Sequence, residues 1–243
     1  MAGQLRITVW NEFVHERERD DVKTVYPDGL HVVIAAGLRA NLGESASVRT
    51  ATLDEPEHGL SDEVLQQTDV LTWWGHAAHE RVADEIVERV QRRVLEGMGL
   101  LVLHSGHGAK IFQRLMGTTC MLRWREAGER EKLWIVNPSH PIFDGFEVDH
   151  IELEKAEMYG EFFDIPTPEE LLMISSFAGG EVFRSACTFR RGKGKIFYFR
   201  PGHETYPIYF DANIQRILAN GVKWAAPGGS PYSLEARHCP NPT

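Results

Sequence analysis

Three histidines, His76, His104 and His203, each follow a short apolar run of strand length: VLTWW before Gly75-His76, GLLVL before His104, and IFYF before Arg200-Pro201-Gly202-His203. Imidazole changes charge near neutral pH and readily ligates transition metals, so three such rings at one place could move protons or hold an ion. Nitrogen donors suit zinc, and a catalytic zinc keeps one position open for water or a substrate oxygen. The expectation is a divalent metal, zinc by ligand type, bound by at least two of His76, His104 and His203. Glu157, in the stretch LEKAEMYGEF, adds a carboxylate in apolar and aromatic company, suited to be an oxygen ligand or a base. Without a metal, His104, Glu157 and His203 would serve as catalytic acid, base and hydrogen-bond donors. Asn11, Trp74, Ser105, His107 and Tyr159 neighbour these groups or end a strand themselves, and are the candidate substrate-binding residues.

The other histidines read differently. His31, His58, His150 and His238, taken singly, are ordinary surface or core residues. His79 forms an HxxH pair with His76 but falls in the first turn of an expected helix, and His140 sits in the proline-bounded loop NPSHPIFDG. The turn LHSGHG, between a strand and the helical stretch AKIFQRLM, is where α/β enzymes hold a nucleophile. Ser105 lacks the GxSxG frame and no cysteine lies within ten residues of it, so a serine hydrolase ranks below the other readings. Gly106 and Gly108 either permit a tight turn or open an anion site at a helix start. Trp73 and Trp74 offer flat aromatic faces to a ligand, although core packing is the commoner role of such residues.

These groups need a scaffold that gathers strand ends. Residues 5–10, 47–53, 69–74 and 99–104 read as strands, alternating with helices over 29–42, 61–67 (opened by Ser61-Asp62-Glu63) and 79–96. Strict alternation implies a parallel sheet with right-handed crossovers and helices on both faces, and such sheets bind ligands at the carboxyl ends of their strands. The second half changes character. Segments 132–136, 151–154, 171–176, 182–190 and 195–199 read as strands, with RRGKGK as a hairpin turn, which predicts an antiparallel extension before a last helix over 208–224. One α/β domain over 1–226 and an irregular tail over 227–243 complete the expected organisation.

Composition narrows the function. A net charge of −9 over 243 residues, without a basic face, argues against nucleic-acid binding. No apolar run spans a bilayer, and the start MAGQLRITVW lacks a signal-peptide pattern, so a cytoplasmic protein with no membrane partner is expected. Cys120, Cys187 and Cys239 are odd in number and widely spaced, supporting neither a disulfide framework nor a zinc knuckle, and none is placed to be a nucleophile.

The start ITVWNE, the turn LHSGHG, the loop NPSHPIFDGF, the segment AEMYGEF and the stretch RGKGKIFYFRPGHE resemble the trehalose-utilisation, or ThuA-like, family across nearly the whole chain. That family lies within the class I glutamine amidotransferase-like superfamily, so the resemblance implies a flavodoxin-like, three-layer fold. It puts His104 where amidotransferase relatives keep their cysteine nucleophile, and it matches the histidine of their HPE motif with His203-Glu204, in the order RPGHE. With those departures, glutaminase activity is not expected. The resemblance implies a sugar-catabolic enzyme acting on trehalose-related or oxidised (keto) disaccharides through metal- or histidine-assisted proton transfer. The alternative is a carbohydrate-binding accessory protein that kept the pocket and lost catalysis. The expected partner is a small sugar, with a homo-oligomer as the assembly to test for.

Overall fold

The computed structural model describes residues 4–228; the rest of the expected tail, with His238 and Cys239, lies outside the described residues. Its strands are β1 Leu5–Asn11, β2 Ala46–Thr52, β3 Val70–Trp74, β4 Gly99–Leu103, β5 Arg123–Ile135, β6 His150–Gly160, β7 Glu170–Phe177, β8 Val182–Arg191 and β9 Gly194–Phe199. Its helices are α1 His15–Glu18, α2 Asp20–Val25, α3 Leu30–Leu42, α4 Asp62–Gln66, α5 Asp84–Glu96, α6 Lys110–Met116 and α7 Ala212–Ala225. All strands join one sheet in the order β2-β1-β3-β4-β9-β8-β7-β5-β6. The first five in that order are mutually parallel, in the flavodoxin-like sequence, and the remaining pairs are antiparallel.

Each face of the parallel half buries its own helices. Ile34, Leu38 and Leu42 of α3 pack with Ile214, Ile217 and Val222 of α7 on the side reached by Leu101 and Leu103 of β4. Val87, Val90 and Val94 of α5 pack with Ile111 and Phe112 of α6 on the side reached by Leu100 and Val102. The alternation of β4 side chains between the two clusters follows from the period of two in a strand, and burial on both faces is why β3 and β4 read as unbroken apolar runs.

Several element bounds differ from expectation, each for a local reason. The helix expected over 79–96 begins at Asp84, because 79–81 form a separate 3₁₀ turn and Val82 and Ala83 are extended. The last helix begins at Ala212, where the Asp211 side chain accepts the backbone N–H groups of Asn213 and Ile214 and so caps the first turn. The same device works at α4, where Ser61 Oγ accepts the N–H of Val64. β5 and β6 are far longer than 132–136 and 151–154: the first part of β5 is exposed and charged in place of an apolar alternation, and it pairs with the buried second part of β6. Glu157 and Tyr159 therefore lie within β6, not beyond it. The short helices α1 and α2 were not expected. No helix among the described residues is long and apolar enough to cross a membrane.

Candidate functional site

The carboxyl ends of β1, β3, β4 and β9 meet at one edge of the parallel sheet. After β1, Glu12 is buried and its carboxylate accepts the backbone N–H groups of Ala77 (2.7 Å) and Ala78 (3.0 Å), which fixes the loop carrying His76. After β9, Gly202 has φ +135°, and a Cβ there would stand 2.0 Å from the hydroxyl of buried Tyr209, so only glycine lets the chain turn and aim His203 at the sheet edge. After β4, His104 itself adopts a positive φ of 49°, the strained strand-to-helix turn that presents a side chain at the sheet edge.

His104 is fully buried, and its hydrogen bonds fix its tautomer. Nδ1 lies 2.8 Å from the backbone oxygen of Arg200, which can only accept, so Nδ1 carries a proton and the neutral ring offers a lone pair at Nε2. That nitrogen is 3.0 Å from Glu157 Oε2 and 3.4 Å from the hydroxyl of Tyr159, whose ring stacks on the imidazole. Burial, reinforced by the positive charge of Arg200, pushes the His104 pKa down to about 3, keeping the ring neutral. Burial also raises the pKa of Glu157, and its Oε2 has no well-formed hydrogen bond. Two lone pairs thus face each other across 3.0 Å, an arrangement that calls for a proton or a cation between them.

His203 is the complement. The Thr205 N–H donates to its Nδ1 (3.2 Å), with the Thr205 hydroxyl at 2.8 Å, so the neutral ring carries its proton on Nε2. Nε2 points toward carboxylates of Glu157 (3.9 Å), Glu126 (3.7 Å) and Glu204 (3.7 Å). Burial, together with neighbouring His104, lowers its pKa to about 4. Beneath both groups, fully buried Arg200 pairs with fully buried Glu131 and donates to the backbone oxygen of Glu157. Arg200 thereby holds both members of the His104–Glu157 pair, one through its carbonyl and the other through its guanidinium.

His76 stands in a second group. Its Nδ1 is 3.0 Å from Glu204 Oε1, which also lies 2.7 Å from His15 Nδ1. Burial opposes ionisation of Glu204, yet the hydrogen bonds from His15 and His76 hold its carboxyl far below the usual carboxylate range. The rings of His76 and His203 are 5.7 Å apart, and those of His104 and His203 5.4 Å, so the three strand-end histidines do converge. Their ligating atoms nonetheless fall into two groups. Ligating atoms lie within 4.8 Å of one another in His104, Glu157 and His203, and separately in His15, His76 and Glu204.

A cleft of about 520 Å³ opens beside these groups, lined by His76, His79, Ser105, His107, Glu157, Tyr159 and His203, with Gln113, Met121, Trp124 and Glu126 at its outer wall. Two expected substrate-binding residues are absent from the lining. Asn11 is buried and spends its amide on Glu16 (2.5 Å) and its Oδ1 on the N–H of Phe13, so it shapes the turn after β1. Trp74 is wholly buried, its indole N–H bonded to the Gly202 carbonyl at 3.1 Å, and Trp73 stacks on Trp10 in the core. Ser105 lines the cleft but donates its hydroxyl to the Gly75 carbonyl at 2.9 Å, which leaves no activated nucleophile of the Ser105 hydrolase kind. His107 donates from Nδ1 to the Cys120 carbonyl (2.8 Å), and burial lowers its pKa to about 4. His79 lies in its 3₁₀ turn on the cleft wall.

Sequence reasoning missed His15, Glu126, Glu131 and the exposed Trp124. Only His15 carried a readable signal, since it follows the end of β1 by four residues.

Solved structures share this fold at low identity. A ThuA-like protein of Parabacteroides merdae superposes with a TM-score of 0.67 at 16% identity, covering 96% of this chain and 93% of the other. A ThuA-like protein of Bacteroides uniformis gives 0.62 at 13% identity, covering 92% of each chain. A Salmonella typhimurium protein described as cytoplasmic gives 0.59 at 13% identity, covering 92% of this chain and all of its own. Among curated proteins none matches the chain. The ThuA family, described as trehalose utilisation, matches residues 6–225. That match covers nearly the whole sheet and every strand end of the cleft, and the chain therefore belongs to the ThuA family, which ties it to sugar metabolism.

Proposed function

We propose that this protein is a cytoplasmic sugar-catabolic enzyme that moves a proton beside the carbonyl of a trehalose-related keto-disaccharide, giving isomerisation or elimination. The observation that carries the reading is the pair made by cleft-lining Glu157 and buried His104 behind it, with Glu157 Oε2 lacking a good partner and its pKa raised. A carboxylate shifted toward neutrality is a better base for a carbon acid than an ordinary one. Ionised Glu157 would take the proton from the carbon next to the ketone, and the electron pair of that C–H bond would pass to the carbonyl oxygen. His203 Nε2–H, which already points at this cluster, would donate a hydrogen bond to the developing enolate. His104, neutral and locked by the Arg200 carbonyl, would keep Glu157 oriented and accept its proton's hydrogen bond.

The same donors fit a divalent ion, zinc by ligand type: His104 Nε2 and Glu157 Oε2 carry facing lone pairs, and His203 could join by moving its proton to Nδ1, donating there to the Thr205 hydroxyl and giving up the bond from the Thr205 N–H. Such an ion would polarise the carbonyl as a Lewis acid. Metal content of untagged wild type against His104→Ala and His203→Ala decides between proton and ion, and bound metal should leave as pH falls below about 6.

The activity test is deuterium exchange followed by NMR in D₂O, with a panel of keto-disaccharides and their non-oxidised parents. Exchange at the carbon adjacent to the ketone, lost by ~10²- to 10⁴-fold in Glu157→Gln, is expected. Binding of the sugars without any exchange would replace this reading by that of a carbohydrate-binding accessory protein.

A further inference from the structure

We propose that His15, His76 and Glu204 form a second divalent-cation site, distinct from the His104–Glu157–His203 group and selective for a zinc-like ion. The three elements involved are remote in sequence: α1, the loop after β3, and the loop after β9. Their ligating atoms nevertheless form a tight triangle. His15 Nδ1 and Glu204 Oε1 are 2.7 Å apart, His76 Nδ1 and Glu204 Oε1 3.0 Å, and the two nitrogens 3.4 Å. A point equidistant from all three lies only ~1.8 Å from each, and zinc–nitrogen bonds are ~2.0–2.1 Å, so an ion fits just off the triangle's plane as the apex of a tetrahedral face. The fourth position would be left to water or a sugar hydroxyl, and His76 places it at the cleft wall.

The chemistry of the triangle supports an ion over a simple ion pair. Two ring nitrogens aim at one carboxylate oxygen and stand 3.4 Å from each other, so with both protonated two N–H groups would converge on one acceptor while facing each other. Glu204 is wholly buried, and its other oxygen has no hydrogen-bond partner, which leaves a desolvated negative charge to be balanced. Among the described residues, the guanidinium in ion-pair reach of it is that of Arg19, at 3.8 Å, which is engaged in two hydrogen bonds with Asp21. Glu204 also faces His203 Nε2 at 3.7 Å, so the cation would sit one carboxylate away from the proposed proton-transfer pair.

The test is zinc binding, with no activity assay. Untagged protein is stripped with chelator, dialysed against micromolar zinc chloride, and its metal content measured for wild type, His15→Ala, His76→Ala and His104→Ala. Cobalt(II) replaces zinc in a parallel set to read coordination from the visible spectrum, and circular dichroism confirms folding of each variant. The expected result is that His15→Ala and His76→Ala each hold one zinc equivalent fewer than wild type, while His104→Ala retains that equivalent. A tetrahedral cobalt band should be lost in the same two variants. Equal zinc in wild type and in both folded variants would overturn the proposal. Zinc lost from His104→Ala but kept by His15→Ala and His76→Ala would also overturn it, while leaving the metal option of the first site standing.

Discussion

Glu131→Leu should be among the most damaging single substitutions in this protein. It removes the carboxylate that pairs with Arg200, and both side chains are completely buried. The stranded guanidinium would keep its hydrogen bond to the Glu157 carbonyl and the aromatic faces of Tyr159 (5.7 Å) and Phe177 (5.3 Å), but no anion. Breaking a buried pair from one side costs ~3–5 kcal/mol. Against a typical total of ~5–15 kcal/mol, that is a fifth or more of the stability. The double variant Glu131→Leu/Arg200→Met removes the charge as well, leaving mainly the Glu157 carbonyl without its donor, a penalty of ~1–3 kcal/mol. The double variant should therefore be more stable than the single one, by roughly 1–3 kcal/mol, in urea unfolding followed by tryptophan fluorescence. A double variant as unstable as Glu131→Leu, or less stable, would refute the view that Arg200 is held there as a charge at the cost of stability.

Acid should unfold the protein early. His104, His107 and His203 have pKa values lowered to about 3, 4 and 4 in the fold, mainly by burial. The unfolded chain thus binds more protons below about 6.5, and the stability these groups carry is complete above that pH and lost as pH falls toward 4. His107→Gln should flatten the slope between pH 6.5 and 4.5 by up to about 1.4 kcal/mol per pH unit, and an unchanged slope in urea titrations would count against a neutral His107. Trp124, 66% exposed at the outer wall of the cleft, is placed to stack on a sugar ring. Trp124→Ala should raise KM for a disaccharide by ~2- to 10-fold with little change in Tm, and an unchanged KM would remove it from the binding surface. Burial pushes the thiols of Cys120 and Cys187 up to about 11 and about 12, so Cys120→Ser and Cys187→Ser variants that fold should keep full turnover.

The parallel half of the fold was legible because its strands are buried on both faces and its helices on one, so apolar runs and helical periodicity mark them directly. The β5–β6 hairpin was not, since RWREAGER is largely exposed and its strand geometry comes from pairing with residues 153–160. The site followed the same division. Strand ends pointed to His76, His104 and His203, but a strand end says where a residue lies and not which way it faces. Trp74 and Asn11 end their strands as His104 follows its own, and they turn inward. His15 comes in on a four-residue helix after the positive-φ Phe13, and Glu131 of β5 reaches Arg200, at the end of β9, past the two strands β7 and β8 that lie between them in the sheet order, neither of which periodicity can express.

The histidine at the strained turn after β4 also bears on why this fold would not hydrolyse glutamine. A nucleophile there must be reachable by substrate and activated by a base. His104 is fully buried, with one nitrogen bound to the Arg200 carbonyl and the other facing Glu157 and Tyr159, so the turn aims its side chain into the protein's polar interior and not at the cleft. Restoring cysteine should therefore not restore the chemistry. In His104→Cys the thiol would lie beside the Glu157 carboxyl, where burial and a neighbouring negative charge both disfavour the thiolate. His203, the ring 5.4 Å from His104, presents a proton at Nε2 and not the lone pair a base needs. The expected outcome is no ammonia release from glutamine by either wild type or His104→Cys, measured with a coupled glutamate dehydrogenase assay. Sustained release by the variant would show that the turn still serves a nucleophile and that the burial of His104 does not define the site.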